Sequence, residues 1–207
     1  MNKIDFQFLN TIKGFMDDQE VVRLFEISRQ ASAMGPLLEI GSYCGRSAAI
    51  IGQACKENKS ILYSIDHHRG SEEQQPKEEY FDPDLYDKNT GGINTFPLFR
   101  QTLKQAGLEE TVVPIVSTSA VAGRMWQTGL AMVFIDGGHS FEAAHTDFLT
   151  WSPHLMPGGF LVIHDIFFDP DKGGQPPRQV YEAAISTGRY EILEMTHTLG
   201  VLKQKNH

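Results

Sequence analysis

Cysteine is nearly missing from this chain: Cys44 and Cys55 are the two in 207 residues. Two cysteines make no disulfide framework, so a reducing, cytoplasmic setting is expected and stability must come from an apolar core. No apolar run approaches the roughly 20 residues that a membrane span needs. The opening Met1-Asn2-Lys3-Ile4-Asp5 lacks the apolar stretch of a signal peptide. There is no basic run either, and the net charge is −8. Such a surface cannot track a phosphate backbone, which argues against a nucleic-acid partner. Internal repeats and low-complexity tracts are lacking too. The remaining usage, 41% hydrophobic and 21% charged, is that of an ordinary globular chain. One domain over 1–207 is expected, with a core that needs no staples.

What is there is alternation. Helical spacing of apolar residues runs over 4–16 and 18–33, predicting extra N-terminal helices within 1–35. Strands are predicted at 37–41, 61–66, 112–117, 132–135 and 160–164. Helices fall between them at 46–57, 95–106, 119–127 and 141–151. Residues 69–92, with Gln74-Gln75-Pro76 and Asp82-Pro83-Asp84, read as an irregular, lid-like insertion with room for a short helix. Residues 167–177 form a second irregular loop. A helix at 178–187 ends at Gly188, and strands at 190–195 and 199–203 close the chain. Alternating strands and helices imply an α/β fold with a mostly parallel, doubly wound sheet. The last two strands lack a crossover helix and must be an antiparallel hairpin. Trp126 and Trp151 sit at helical spacing among apolar neighbours and read as core.

The sharpest signal is Leu37-Leu38-Glu39-Ile40-Gly41-Ser42-Tyr43-Cys44-Gly45-Arg46-Ser47. An apolar strand enters a glycine turn and then a helix, the place where α/β sheets hold nucleotide-like ligands. The spacing decides which ligand. A dinucleotide fingerprint needs glycines where Tyr43 and Arg46 stand, and a Walker loop needs a longer gap and a lysine. A nicotinamide-dependent oxidoreductase therefore fails on glycine spacing. Polar groups also gather at the ends of the apolar strands: Asp66-His67-His68, Asp136-Gly137-Gly138-His139 and His164-Asp165. Buried charges are costly, so several strand ends bearing them are hard to explain as packing. The eight histidines are scattered and form no ligand-spaced tract.

The pattern E-x-G-x-x-x-G-x-S, followed by Asp66 at the second strand end, resembles motif I of the class I S-adenosylmethionine-dependent methyltransferases. Ile135-Asp136-Gly137-Gly138-His139, Trp151, Leu155-x-Pro157-Gly158-Gly159 and His164-Asp165 resemble the small-molecule O-methyltransferase branch, with its catechol, caffeoyl-CoA and antibiotic-tailoring enzymes. The resemblance covers roughly residues 37 to 204. It implies a Rossmann-like, seven-stranded sheet and S-adenosylmethionine as co-substrate. The expected cofactor contacts are Glu39, Gly41, Ser42, Gly45, Ser47, Asp66, His67, Ser119 and Asp136. Glu39 either binds the methionine amino group, directly or through water, or only braces the loop. Gly41 and Gly45 allow close backbone approach. Ser47 caps the helix or contacts the carboxylate. Asp66 accepts from the ribose hydroxyls, and His67 stacks near the adenine. Ser119 contacts the adenine or caps a helix.

The resemblance further implies a divalent metal such as Mg²⁺, with Asp136 and Asp165 matching family ligands. His164 falls where metal-using relatives often carry an oxygen ligand. A histidine donor, His164 or His139, would shift preference from Mg²⁺ towards Zn²⁺, Fe²⁺ or Mn²⁺. If the strand continued through His164 and Asp165, their side chains would point to opposite faces. The alternative is metal-free chemistry with His139 as general base beside Asp136, unless His139 only holds its loop. The implied activity is O-methylation of a small hydroxylated acceptor, by a chain that could pair as a homodimer through its N-terminal helices. The competing reading is a non-catalytic S-adenosylmethionine-binding partner, which would have no need of the acids after the fourth and fifth strands.

Overall fold

A computed structural model describes residues 4–78, 80–138 and 140–206. In chain order the elements are α1 (Phe6–Leu9), α2 (Asp18–Ser32), β1 (Leu37–Ile40), α3 (Arg46–Glu57), β2 (Leu62–Asp66), β3 (Tyr86–Asp87) and β4 (Gly92–Ile93). They continue with α4 (Phe96–Ala106), β5 (Val112–Val116), α5 (Ser119–Gly123), β6 (Leu130–Ile135), α6 (Phe141–Trp151), β7 (Leu155–Ile163), α7 (Pro176–Ser186), β8 (Tyr190–Ile192) and β9 (Gly200–Gln204). Seven of the strands form one sheet in the order β5-β2-β1-β6-β7-β9-β8. Pairings are parallel except those of β9, which runs antiparallel to both β7 and β8. The strand order reverses beside β1, between β1 and β6. A crevice opens there at the strands' carboxyl ends, where α/β sheets bind ligands.

Alternation along the strands builds two cores. Leu37, Leu62, Met132, Phe134 and Val162 face α2, α3 and α4. Leu38, Ile65, Val133, Ile135 and Ile163 face α6 and α7 on the other side. Trp151 is fully buried in the second core, and Trp126 packs edge-on against it at 5.1 Å. Removing a side chain as large as Trp151 would cost about 3–5 kcal/mol. Local signals set the helix ends. Asp17 and Glu20 form a capping box at the start of α2. Gly107, at φ 63°, closes α4, and Ser140 caps α6.

Several expectations are corrected. The helix predicted over 4–16 shrinks to α1, because Arg46 captures the chain after it. The Arg46 guanidinium donates to the carbonyls of Leu9 (2.7 Å) and Met16 (3.5 Å). A Cβ at Gly14 would lie 2.8 Å from Arg46 Cδ, so only glycine lets the segment lie this close. Ile12 and Met16 still reach the core, without helical backbone. The 69–92 segment is not wholly irregular. It carries two short 3-10 turns and the β3–β4 pair, anchored by buried Leu85 and Ile93. The helix predicted at 119–127 stops at Gly123, and the strand predicted at 190–195 stops at Ile192. β7 begins five residues earlier than predicted, at Leu155, and its assigned span ends at Ile163.

Candidate active site

The turn after β1 is held by Asp66. One carboxylate oxygen accepts from the backbone N–H groups of Ser42 (3.0 Å) and Tyr43 (2.9 Å), and the other from His68 N–H (2.7 Å). Gly41 has φ 88°, and a Cβ there would sit 2.1 Å from the Asp136 carbonyl oxygen. Glycine is thus required because the first turn lies directly on the loop after β6. Gly45 has φ 90° and starts α3 against Phe99 and Thr102. Its side faces α4, and it does not line the cavity described below.

Glu39 lies beneath this turn, fully buried. Its register partner on β2, Ser64, donates a 2.6 Å hydrogen bond to Oε1. The Ser47 hydroxyl is close enough to favour the charge but makes no well-formed hydrogen bond, and Oε2 has no partner. Burial, with help from the Asp136 and Asp66 charges, pushes the Glu39 carboxyl up to about 8 against these serines. It therefore holds its proton at neutral pH. The buried Ser42 hydroxyl is also without a partner, and Ser42 lines the cavity.

A single cavity of about 1110 Å³ runs over the carboxyl ends of the strands. Of the expected contact residues, Gly41, Ser42, Ser47, Asp66, His67, Ser119 and Asp136 line it. His67 stays at the surface, whereas its neighbour His68 turns inward. His68 has φ 58°, bonds Thr95 Oγ1 through Nδ1 at 2.7 Å, and packs on Phe96 and Phe99. Ser119 accepts from the Trp151 indole N–H at 2.7 Å and faces Asp147. Thr118 occupies the N-cap position of α5. Burial pushes the Asp147 carboxyl up to about 6, against the Ser119 hydrogen bond. Asp147 also lines the cavity.

At the far end the strand termini of β6 and β7 meet. The chain turns sharply after His164, because Asp165 takes the left-handed φ of 58°. The two adjacent side chains therefore converge, contrary to the divergence that a continuing strand would impose. His164 Nδ1 lies 3.0 Å from Asp136 Oδ1 and 3.5 Å from Asp165 Oδ1. One donor atom from each of the three lies within 4.8 Å of the other two. Two carboxylate oxygens and an imidazole nitrogen at this spacing fit a divalent cation. His139 lies outside the described residues.

Glu20 completes the cluster from α2. Its Oε2 lies 3.0 Å from His164 Nε2 and accepts from Asp17 N–H at 3.1 Å. Its Oε1 accepts from Thr198 N–H (2.8 Å) and Thr198 Oγ1 (2.7 Å). Burial opposes ionisation of Glu20, but His164 and Thr198 outweigh it and draw the carboxyl down to about 2. Burial alone would lower His164, yet Asp136, Asp165 and Glu20 hold it well above the usual histidine range. Without a cation the ring is an imidazolium clasped by carboxylates. The one signal for Glu20 in the sequence is its place in the capping box, which says nothing of His164.

The mouth of the cavity is formed by the segment after α1 and by the 69–92 insertion. Lys13 pairs with Asp82 and, at 3.1 Å, with Asp84, tying the two together. Phe15, 70% exposed, stands over Tyr43 and Tyr80 at ring separations of 6.1 and 5.7 Å. Phe167 and Lys172 contribute from the loop after β7. Among the described residues, no helix is long and apolar enough to cross a membrane.

Comparison with known proteins places this geometry in a family. Residues 38–166 match a family described as a methyltransferase domain, a span that holds Gly41, Asp66, Asp136 and Asp165. The structure of the O-methyltransferase NovP is similar, with a TM-score of 0.69 and 14% identity over 91% of this chain and 80% of that one. TomG, an O-methyltransferase from Streptomyces achromogenes solved with S-adenosylmethionine, gives 0.63 and 15% over 93% and 82%. The O-methyltransferase from Bacillus cereus, solved with S-adenosylhomocysteine, gives 0.64 and 12% over 97% and 88%. At these identities the structures share the fold. The family match spans more than half of the sequence, and the chain belongs to the methyltransferase-domain family.

Proposed function

We propose that this enzyme transfers the methyl group of S-adenosylmethionine to a hydroxyl of a small acceptor. One observation carries the reading: a single cavity joins the glycine turn and Asp66 to the Asp136–His164–Asp165 cluster. Cofactor and acceptor can therefore lie in line in one space. Asp66 spends three acceptor positions on backbone N–H groups. A carboxylate has about four, so one remains for a ribose hydroxyl. The turn at Gly41 and Ser42, which lines the cavity, borders the methionine portion. His67 and Ser119 border the adenine, with Ser119 held in place by Trp151.

In the reaction the C–S bond of the sulfonium breaks and a C–O bond forms at the acceptor. The acceptor proton leaves, and S-adenosylhomocysteine is released. A divalent cation held by Asp136, His164 and Asp165 would, when bound, lower the acceptor hydroxyl pKa and fix its position. Asp136 would both hold that centre and border the cofactor, a reading supported by the packing of Gly41 directly on its backbone. His139, three positions after Asp136 in the sequence, is the candidate base for the acceptor proton. The acceptor would enter between the Phe15–Tyr43–Tyr80 wall and the loop holding Phe167. Two free, buried cysteines suit the reducing cytoplasm.

Calorimetric titration with S-adenosylhomocysteine tests the reading. Saturable binding is expected for the native chain and loss of it for Asp66→Ala. Of the 2′- and 3′-deoxyribose analogues, the one lacking the hydroxyl that Asp66 accepts from is expected to bind the native protein more weakly by about tenfold, the worth of one charged hydrogen bond. No binding by a folded protein would overturn the proposal.

A further inference from the structure

The structure assigns Glu20 as a positioning residue for the Asp136–His164–Asp165 centre, fixing the His164 ring from behind so that Nδ1 faces the two carboxylates as a metal donor. The inference rests on the proposed metal role of those three residues. A helix cap does not require this arrangement. The capping box uses only the Asp17 N–H, yet Glu20 is 3% exposed and spans to a histidine 144 positions away. Burying a carboxylate this deeply is costly unless every oxygen is satisfied. Thr198 supplies two donors to Oε1, while Asp17 and His164 take Oε2. The carboxylate cannot rotate without losing one of them.

Committing the Nε2 hydrogen to Glu20 leaves Nδ1 as the lone-pair nitrogen when a cation replaces the second ring proton. Nδ1 is the atom facing Asp136 Oδ1 and Asp165 Oδ1, at 3.0 and 3.5 Å. A carboxylate behind a ligating imidazole fixes its tautomer and raises its basicity. The resulting donor set, one nitrogen and two carboxylates, favours Mn²⁺, Fe²⁺, Co²⁺ or Zn²⁺ over Mg²⁺.

The test is titration of the full, metal-stripped chain with MnCl₂, following free Mn²⁺ by electron paramagnetic resonance. Spin-echo modulation from an imidazole nitrogen reports the His164 bond directly, and S-adenosylhomocysteine binding is measured in parallel. Glu20→Gln is expected to lower Mn²⁺ affinity by about 10–100-fold and to weaken the nitrogen modulation, with S-adenosylhomocysteine affinity unchanged. Asp17→Ala removes the side-chain half of the same capping box, its bond from Gln19 N–H, but keeps the backbone N–H that donates to Glu20 and does not touch His164, so it is expected to leave Mn²⁺ affinity intact. Should Glu20→Gln not fold, Thr198→Val removes one anchor of Glu20 and is expected to give a smaller loss in the same direction. Unchanged affinity in both the Glu20 and Thr198 variants, or an equal loss in Asp17→Ala, overturns the assignment. Native protein that binds S-adenosylhomocysteine but no Mn²⁺ overturns the metal reading beneath it, and the assignment with it.

Discussion

Replacing Glu39 by glutamine is expected to make the protein more stable at neutral and alkaline pH and to leave the cofactor in place. Glu39 is fully buried, and its carboxyl is raised from 4.5 to about 8. The folded state therefore holds a proton that the unfolded chain gives up between these values. Stability is full below pH 4.5 and is lost as pH rises through about 8. At about 1.4 kcal/mol per tenfold in proton concentration, the loss amounts to about 3 kcal/mol by pH 7 and approaches about 5 kcal/mol by pH 9. Glutamine cannot ionise and keeps an acceptor for the Ser64 hydroxyl. Any fixed cost of its amide, beside the site where Oε2 now lacks a partner, is the same at every pH. Urea unfolding of both proteins from pH 5 to 9 isolates the effect. The variant is expected to gain about 4 kcal/mol on the native chain across that range. A difference that does not change with pH refutes the reasoning. The same variant distinguishes a brace from a ligand contact: as a brace, Glu39→Gln leaves S-adenosylhomocysteine affinity within about threefold, less than one hydrogen bond is worth.

Gly41→Ala is expected to be among the most damaging single-atom additions, because the new Cβ would meet backbone rather than a movable side chain, at a φ of 88°. Separation of the β1 turn from the Asp136 loop costs at least about 3 kcal/mol, the upper range for overpacking, and the calorimetric signal with S-adenosylhomocysteine should vanish; near-native binding would contradict the close approach. Lys13→Met is expected to loosen the mouth. The Lys13 side chain is 36% exposed and Asp84 79%, so the pairs contribute at most about 1 kcal/mol. Proteolysis within residues 69–92 is then expected to quicken by up to about fivefold at low salt and to match the native rate near 1 M salt, where screening removes the pair. An equal rate at low salt would show that Leu85 and Ile93, not the ion pairs, hold the insertion.

Much of the framework was legible in the residues. Apolar runs of strand length alternate with helical spacing, so the α/β class and the closing antiparallel strand follow from periodicity and connection length. The glycine spacing at Gly41 and Gly45 excluded dinucleotide and Walker loops before any geometry was known. Asp66 and Asp136 were marked by position, as acids ending apolar strands. The reason for the glycines was less legible. Gly41 makes room for the Asp136 backbone and Gly45 for α4, contacts made by segments far away in sequence. Periodicity likewise overstated the first helix, because it cannot register Arg46 reaching across to Leu9 and Met16.

By itself the sequence determined the elements, their alternation and the strand ends where polar groups collect, since these depend on interactions between neighbours a few residues apart. Only the tertiary structure decided which of those groups meet. A left-handed turn at Asp165, a conformation no residue pattern announces for a non-glycine, swings its side chain beside His164. The packing of α2 on the sheet then delivers Glu20 to the same ring from 144 positions away. Such contacts arise from the summed packing of the whole domain, and local preference carries no record of them.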